Sequence, residues 1–242
     1  MVGLIIITAV IIWLTFEVWR APLLKEHEDG TFTTLRKTKQ LSNLFKSKKI
    51  VFLLFILLSS SLYSQDTIRI KKAIFEVLYS QKLEQPLWLK YRSINRPTNV
   101  NRGSMDFYIE PKIKTSDAAD YAKNIYDKGH LAPAATFSDN IENLKQTFSY
   151  LNCALQNQYL NRGEWRLLEE QERKWDDKES LTIIVKLVFL KSSEVLLTGA
   201  TIPTRFEKHI YFEKSKKWKC FTFINNQPTV PWEQSEFKCI NH

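Results

Sequence analysis

Asp127-Lys128-Gly129-His130-Leu131-Ala132-Pro133 opens a stretch of 47 residues that closes with Leu168-Glu169-Glu170-Gln171-Glu172-Arg173. Between them stand Tyr150-Leu151-Asn152-Cys153, Gln156 and Leu160-Asn161-Arg162-Gly163-Glu164-Trp165. One imidazole, two carboxamides, a carboxylate and several cations recur at separations that a folded site can gather. Such a mixture suits metal-assisted cleavage of a phosphodiester. That reaction needs a base for the attacking water, neutralisation of charge on the phosphoryl oxygens and help for the leaving oxygen.

Local patterns assign these residues to elements. Ile125-Tyr126-Asp127 reads as a strand that delivers His130, Tyr150 to Leu155 as the next strand, and Asn161 to Trp175 as a helix. Gly129 is expected to let the backbone turn closely beneath a phosphate, since glycine carries no side chain to obstruct it. Eight residues along a straight helix separate Asn161 from Glu169 by about 12 Å and about 80° of rotation. The two cannot flank one ion as rigid helix neighbours. Asn161 is therefore expected at or before the helix start, with Gly163 freeing the turn and Glu164 as a capping partner.

The same stretch resembles the DNA/RNA non-specific endonucleases of the ββα-metal type. The resemblance runs from about Gln85-Pro86-Leu87-Trp88 to about Asn225, and it rests on matching blocks in the family's order, with His130 followed by Asn152 and then Asn161. It implies an α+β fold of the ββα-metal (His-Me finger) type, a central antiparallel sheet flanked by helices. The implied activity is hydrolysis of phosphodiester bonds in DNA and RNA alike, with a hydrated Mg²⁺, or Mn²⁺ as the alternative ion. By resemblance His130 is the general base, Asn161 the one direct protein ligand of the ion, and Glu169 the acceptor of hydrogen bonds from the ion's waters. Asn152 and Arg173 match positions lining the site, Arg102 matches an arginine set against the substrate phosphate, and Gln156 matches a position whose role stays open.

Lys128 departs from the family pattern, which has arginine there. Lysine keeps the charge but loses the planar two-pronged grip on phosphate, so weaker clamping is expected. Each residue also has an ordinary reading. Asn161 alone is equally a helix cap, Glu169 with Arg173 an i,i+4 surface pair, and His130 a structural histidine. A second function class follows from those readings: a nucleic-acid-binding module of the same fold that is weak or inactive in catalysis. The resemblance also admits a homodimer.

Two apolar runs precede this domain, Val2 to Trp19 and Ile50 to Leu58. About 18 apolar residues is near the lower limit for spanning a bilayer. The second run follows Lys46, Lys48 and Lys49 and ends in small and polar residues through Ser64-Gln65, which describes a secretory signal. Residues 1–64 are thus read as a membrane or signal region and residues 65–242 as the nuclease domain. Export is expected, with the domain either anchored in a membrane by its N-terminal helix or secreted after cleavage near Ser64. Alternatively the working chain starts near Lys46, which needs a non-standard start codon because no methionine lies between Met1 and Met105. Buried core helices are the bland reading of both runs.

The whole chain carries a formal net charge of +9. Eight Lys and Arg stand against four acids in residues 1–64, leaving 27 against 22 in the rest. A domain this modestly basic is compatible with a polyanionic substrate without demanding one. Of the three cysteines, Cys220 and Cys239 can pair across C-terminal strands, and Cys153 is a candidate for a small buried residue. Cys-x-x-Cys spacing is absent, which argues against cysteine-bound metal. Downstream, Thr182 to Leu190 reads as a central strand, and Glu194 to Thr201, Lys208 to Glu213 and Trp218 to Ile224 as further strands. Ser116 or Asp117 is expected to cap a short helix.

Overall fold

The computed structural model describes residues 23–26, 32–35 and 66–239. Both N-terminal apolar runs lie outside these residues. By its internal contacts the chain divides into two compact units, Met1–Ser64 and Gln65–His242. In the first, strands β1 (Leu23–Glu26) and β2 (Phe32–Leu35) pair antiparallel. Among the described residues no helix is long and apolar enough to cross a membrane.

In the second unit, alternation of apolar and polar residues generates one large antiparallel sheet. Its strands are β3 (Thr67–Lys71), β4 (Phe75–Ser80), β5 (Gln85–Ser93), β8 (Leu181–Val188), β9 (Arg205–Phe212), β10 (Lys217–Ile224) and β11 (Glu236–Phe237). The spatial order is β11-β10-β9-β8-β5-β4-β3, which puts β8 at the centre, as its β-branched run predicts. Leu181, Ile183, Val185 and Leu187 are buried while the residues between them are half-exposed, so one face of β8 is packed. Val77, Leu89, Phe206, Ile210 and Phe221 continue that core on neighbouring strands, and Trp165, Leu168, Phe137 and Leu131 close it from the other side.

Those closing residues belong to the smaller layer that carries the site. Strands β6 (Tyr126–His130) and β7 (Cys153–Asn157) form a separate two-stranded antiparallel ribbon. Between them lies helix α1 (Ile141–Thr147), capped by the Asn140 side chain, which accepts from the Asn143 amide at 2.8 Å. After them comes helix α2 (Arg166–Asp176). Ribbon, helix and antiparallel sheet make up the expected α+β fold of the ββα-metal type.

Several boundaries differ from expectation. Tyr150–Asn152 is a tight 3₁₀ turn, because the Asn152 amide donates back to the Ser149 carbonyl at 2.8 Å, so the second ribbon strand starts only at Cys153. Glu194 to Thr201 is a loop with a single Val195–Thr201 bridge, and Gly199 within it has φ +121°, a conformation that breaks a strand. The disulfide Cys220–Cys239 forms and Cys153 is buried and free. Asp117 caps the short 3₁₀ helix Ala118–Tyr121 in a reciprocal box with Asp120.

Candidate active site

His130 ends β6, and its ring packs against two aromatic rings that also contact each other. The centroid of Phe107 is 4.7 Å away and that of Phe148 is 5.0 Å away, nearly perpendicular. The Nε2 atom is shielded from solvent and has no hydrogen-bond partner. Burial, with the Arg102 cation adding to it, lowers the imidazole pKa to about 3. At neutral pH this side chain is an uncharged imidazole, the form able to accept a proton.

Asn152 supports that strand end from beneath. Its amide nitrogen donates to the carbonyls of Ala132 and Thr147 at 2.9 and 2.8 Å, and its oxygen accepts from the Ala132 amide at 2.7 Å. All three bonds go to backbone two residues past His130 or at the end of α1. Both amide hydrogens are used and the side chain is fully buried, so Asn152 lies beneath the strand end and outside the lining of the cleft described below.

Gly129 also has a different use from the expected one. Its backbone is extended and paired with Ala154, not turned, and a Cβ there would sit 2.4 Å from Oε1 of Gln156. The missing side chain makes room for buried Gln156.

The approach to α2 is irregular. A short helical turn, Gln158–Leu160, runs into a wide π-type turn, Asn161–Trp165, in which Gly163 adopts φ −102° and ψ −116°. Asn161 therefore precedes the straight helix that carries Glu169, as the spacing required. Glu164 does not cap α2; its carboxylate accepts from the Trp232 amide at 2.8 Å instead.

Asp127 organises this turn. It accepts from Nδ2 of Asn161 at 2.9 Å and from the Arg162 guanidinium at 2.8 and 2.6 Å. With its nitrogen engaged, the Asn161 carboxamide keeps its oxygen for a ligand.

One open cleft of about 520 Å³ gathers these elements, lined by His130, Asn161, Glu169 and Arg173, with Arg162 and Arg166 at its side. Burial raises the Glu169 carboxyl to about pH 7, partly countered by Lys208 and reinforced by Glu172. Arg102 lines an adjoining cavity that shares Ala134 and Ala135 with the cleft, and its guanidinium lies 5.2 Å over the Phe148 ring. Lys128 does not line the cleft. Its ammonium is 2.8 Å from Asp106, whose side chain is 74% exposed, so an incoming anion displaces a contact worth little.

Among the described residues no group of three or more His, Cys, Asp or Glu is placed to hold a metal. The donor set still fits an ion of the magnesium kind, which prefers oxygen, keeps several waters and needs few protein ligands. A free carboxamide oxygen on Asn161 and the carboxylate of Glu169 face one cleft, beside buried atoms without hydrogen bonds, Nε2 of His130 and Oε1 of Glu169.

Sequence reasoning left Arg162, Arg166 and Lys208 without a role. The arginines carried a visible signal, since Arg162 and Arg166 share a helical face with Glu170. Lys208 carried none.

Comparison with known proteins places the chain in a family. A sequence model of the DNA/RNA non-specific endonucleases matches residues 58–242. Mitochondrial endonuclease G of Bos taurus is 29% identical over 107 residues, covering 42% of this chain and 36% of that protein. The nuclease of Serratia marcescens is 30% identical over 156 residues, covering 59% of this chain and 53% of its own length. This chain thus spans between about a third and about a half of those two relatives. A crystal structure of EndoG in complex with EndoGI superposes with a TM-score of 0.63 at 20% identity, over 70% of this chain and 80% of that one, which shows a shared fold.

Proposed function

Since the chain belongs to the DNA/RNA non-specific endonuclease family, we propose that it is a metal-dependent hydrolase cutting phosphodiester bonds in both DNA and RNA. One observation carries the reading: a histidine kept uncharged by burial lines the same cleft as Asn161, Glu169 and Arg173. His130 takes the proton of the attacking water. Burial, the main cause of its pKa of about 3, keeps it uncharged and makes it a weak base, and a phosphodiester anion beside Arg102 would offset the smaller, electrostatic part of that shift.

A bound Mg²⁺ or Mn²⁺ supplies charge neutralisation on the phosphoryl and leaving oxygens. Asn161 would hold it through the carboxamide oxygen, oriented by Asp127, and Glu169 would fix its hydration shell. Arg173, with Arg102 from the adjoining cavity, holds the substrate phosphates. Lys128 joins them once it leaves Asp106. Contacts of this kind position a nucleic acid without reading its sequence, which accounts for low selectivity.

Export of this domain, tethered or released near Ser64, completes the proposal. Its support is the pattern of apolar and basic residues before Gln65, and fractionation of the expressing cells tests it. For the chemistry, the purified full chain is incubated with supercoiled plasmid and with single-stranded RNA, in Mg²⁺ and in EDTA, beside His130→Ala. Nicking of both substrates that EDTA and His130→Ala each abolish supports the endonuclease. Salt-sensitive binding without cleavage supports the binding module instead.

A further inference from the structure

Lys208 has no exposed side-chain surface. It sits in the middle of β9, on the strand face that also buries Phe206 and Ile210, and its ammonium reaches α2. There Nζ lies 2.8 Å from Oε1 of Glu172, 3.9 Å from Oε1 of Glu169 and 4.0 Å from the centroid of the Trp165 ring. Tyr91 donates to the other Glu172 oxygen at 2.8 Å. The 2.8 Å contact is close without being aligned as a hydrogen bond, so one cation is shared between two carboxylates and an aromatic face.

Such a cation is costly to bury, and well-packed apolar residues commonly serve as well or better where only stability is at stake. A pair serving the core alone would be complete with Lys208, Glu172 and Tyr91. The arrangement extends one helical turn further, to the single carboxylate of α2 that is both buried at one oxygen and part of the cleft. Glu169 keeps 14% of its side chain exposed while its Oε1 is shielded. Attraction of Oε1 toward Lys208 leaves the other oxygen as the one presented to the cleft.

We propose that Lys208 is a positioning residue for the metal: anchored by Glu172 and the Trp165 face, it holds Glu169 in the orientation that receives the ion's hydration shell. The inference rests on the metal-dependent reading above. A substituent acting this way changes affinity for the ion more than turnover once the ion is saturating.

The test compares the full chain with Lys208→Met and with Lys208→Met/Glu172→Gln, which removes both charges of the pair and so avoids leaving Glu172 as an unpaired buried anion. Mn²⁺ binding without nucleic acid is read by electron paramagnetic resonance of the free ion, and Mg²⁺ activation of plasmid cleavage is read in parallel. We expect the double variant to keep the parent's far-UV spectrum, to bind Mn²⁺ at least tenfold more weakly and to need at least tenfold more Mg²⁺, with kcat at saturating Mg²⁺ within about threefold of the parent. A folded double variant that binds Mn²⁺ as the parent does overturns the role of Lys208 and leaves the nuclease reading intact. A parent chain that neither binds Mn²⁺ nor cleaves overturns both.

Discussion

Strand β8, at the centre of the seven-stranded sheet, and the ribbon-turn-helix layer are built on opposite rules. In the sheet, β8 alternates buried and half-exposed residues along its whole length, and its buried positions are all apolar. In the other layer the buried residues include Asn152, Glu172 and Asp176, and the regular helix is delayed by a π-type turn. Buried polar groups of this kind hold a conformation only when partners reach them from elsewhere. The contrast separates a region whose side chains stabilise the fold from one whose side chains are kept in reactive or strained settings.

The largest expected effect breaks the chemistry and spares the scaffold. His130→Ala is expected to lower kcat/KM for plasmid cleavage about 10³-fold, within the range for loss of a general base. Its thermal unfolding should fall only modestly, since the contacts with Phe107 and Phe148 are lost while no hydrogen bond to its Nε2 is broken. A variant that cleaves within tenfold of the parent would remove His130 from its proposed role.

Leu89→Ala reverses the pattern. Leu89 is fully buried in β5 among the sheet core. Truncation is expected to cost about 3 kcal/mol of stability, through lost transfer energy plus a cavity. Cleavage by the fraction that remains folded should be unchanged at low temperature. Urea denaturation with activity measured in parallel checks both halves.

Gly129→Ala tests the seam between the two rules, because Gly129 lies in a regular strand yet abuts buried Gln156. Overpacking there is expected to cost about 1–3 kcal/mol and to lower activity as well, by shifting the neighbouring His130. A fully active and equally stable variant would mean that the Gln156 side chain moves aside freely.

Legibility in the sequence follows the same division. Strand β8 could be read directly, as could β10, because a run of β-branched and aromatic residues is a local signal. His130, Asn161, Glu169 and Arg173 were also readable as a set, and the need for a break before α2 followed from helix geometry alone. What escaped was long-range. Glu169 and Arg173 look like a surface pair, yet Glu169 is half of a buried arrangement whose cation comes from β9, 39 positions along the chain. Asn152 reads as a site residue by position, and only the bonding of its carboxamide to Ala132 and Thr147 shows that it holds backbone. Gly129 reads as a turn for the same reason: the obstacle it avoids belongs to another strand.

The pH dependence is the most diagnostic of the difference between the layers. Burial lowers His130 to about pH 3 and raises Glu169 to about pH 7 in the metal-free protein. Between about pH 3 and the ordinary histidine pKa of about 6.5, the unfolded chain binds more protons at residue 130 than the folded one. The stability contributed by neutral His130 is therefore full above that range and is lost as pH falls through it. Glu169 acts in the other direction: its contribution is full below the ordinary carboxyl range and is lost as pH rises toward 7. The two slopes oppose each other between about pH 4.5 and 6.5. In EDTA, the unfolding temperature of His130→Asn relative to the parent should therefore climb as pH is lowered across that window. That of Glu169→Gln relative to the parent should climb as pH is raised. Leu89→Ala, which touches no titrating group, should run parallel to the parent at every pH. Parallel curves for all three variants would mean that neither site residue is buried in the way described, and the distinction between the two layers would reduce to their secondary structure.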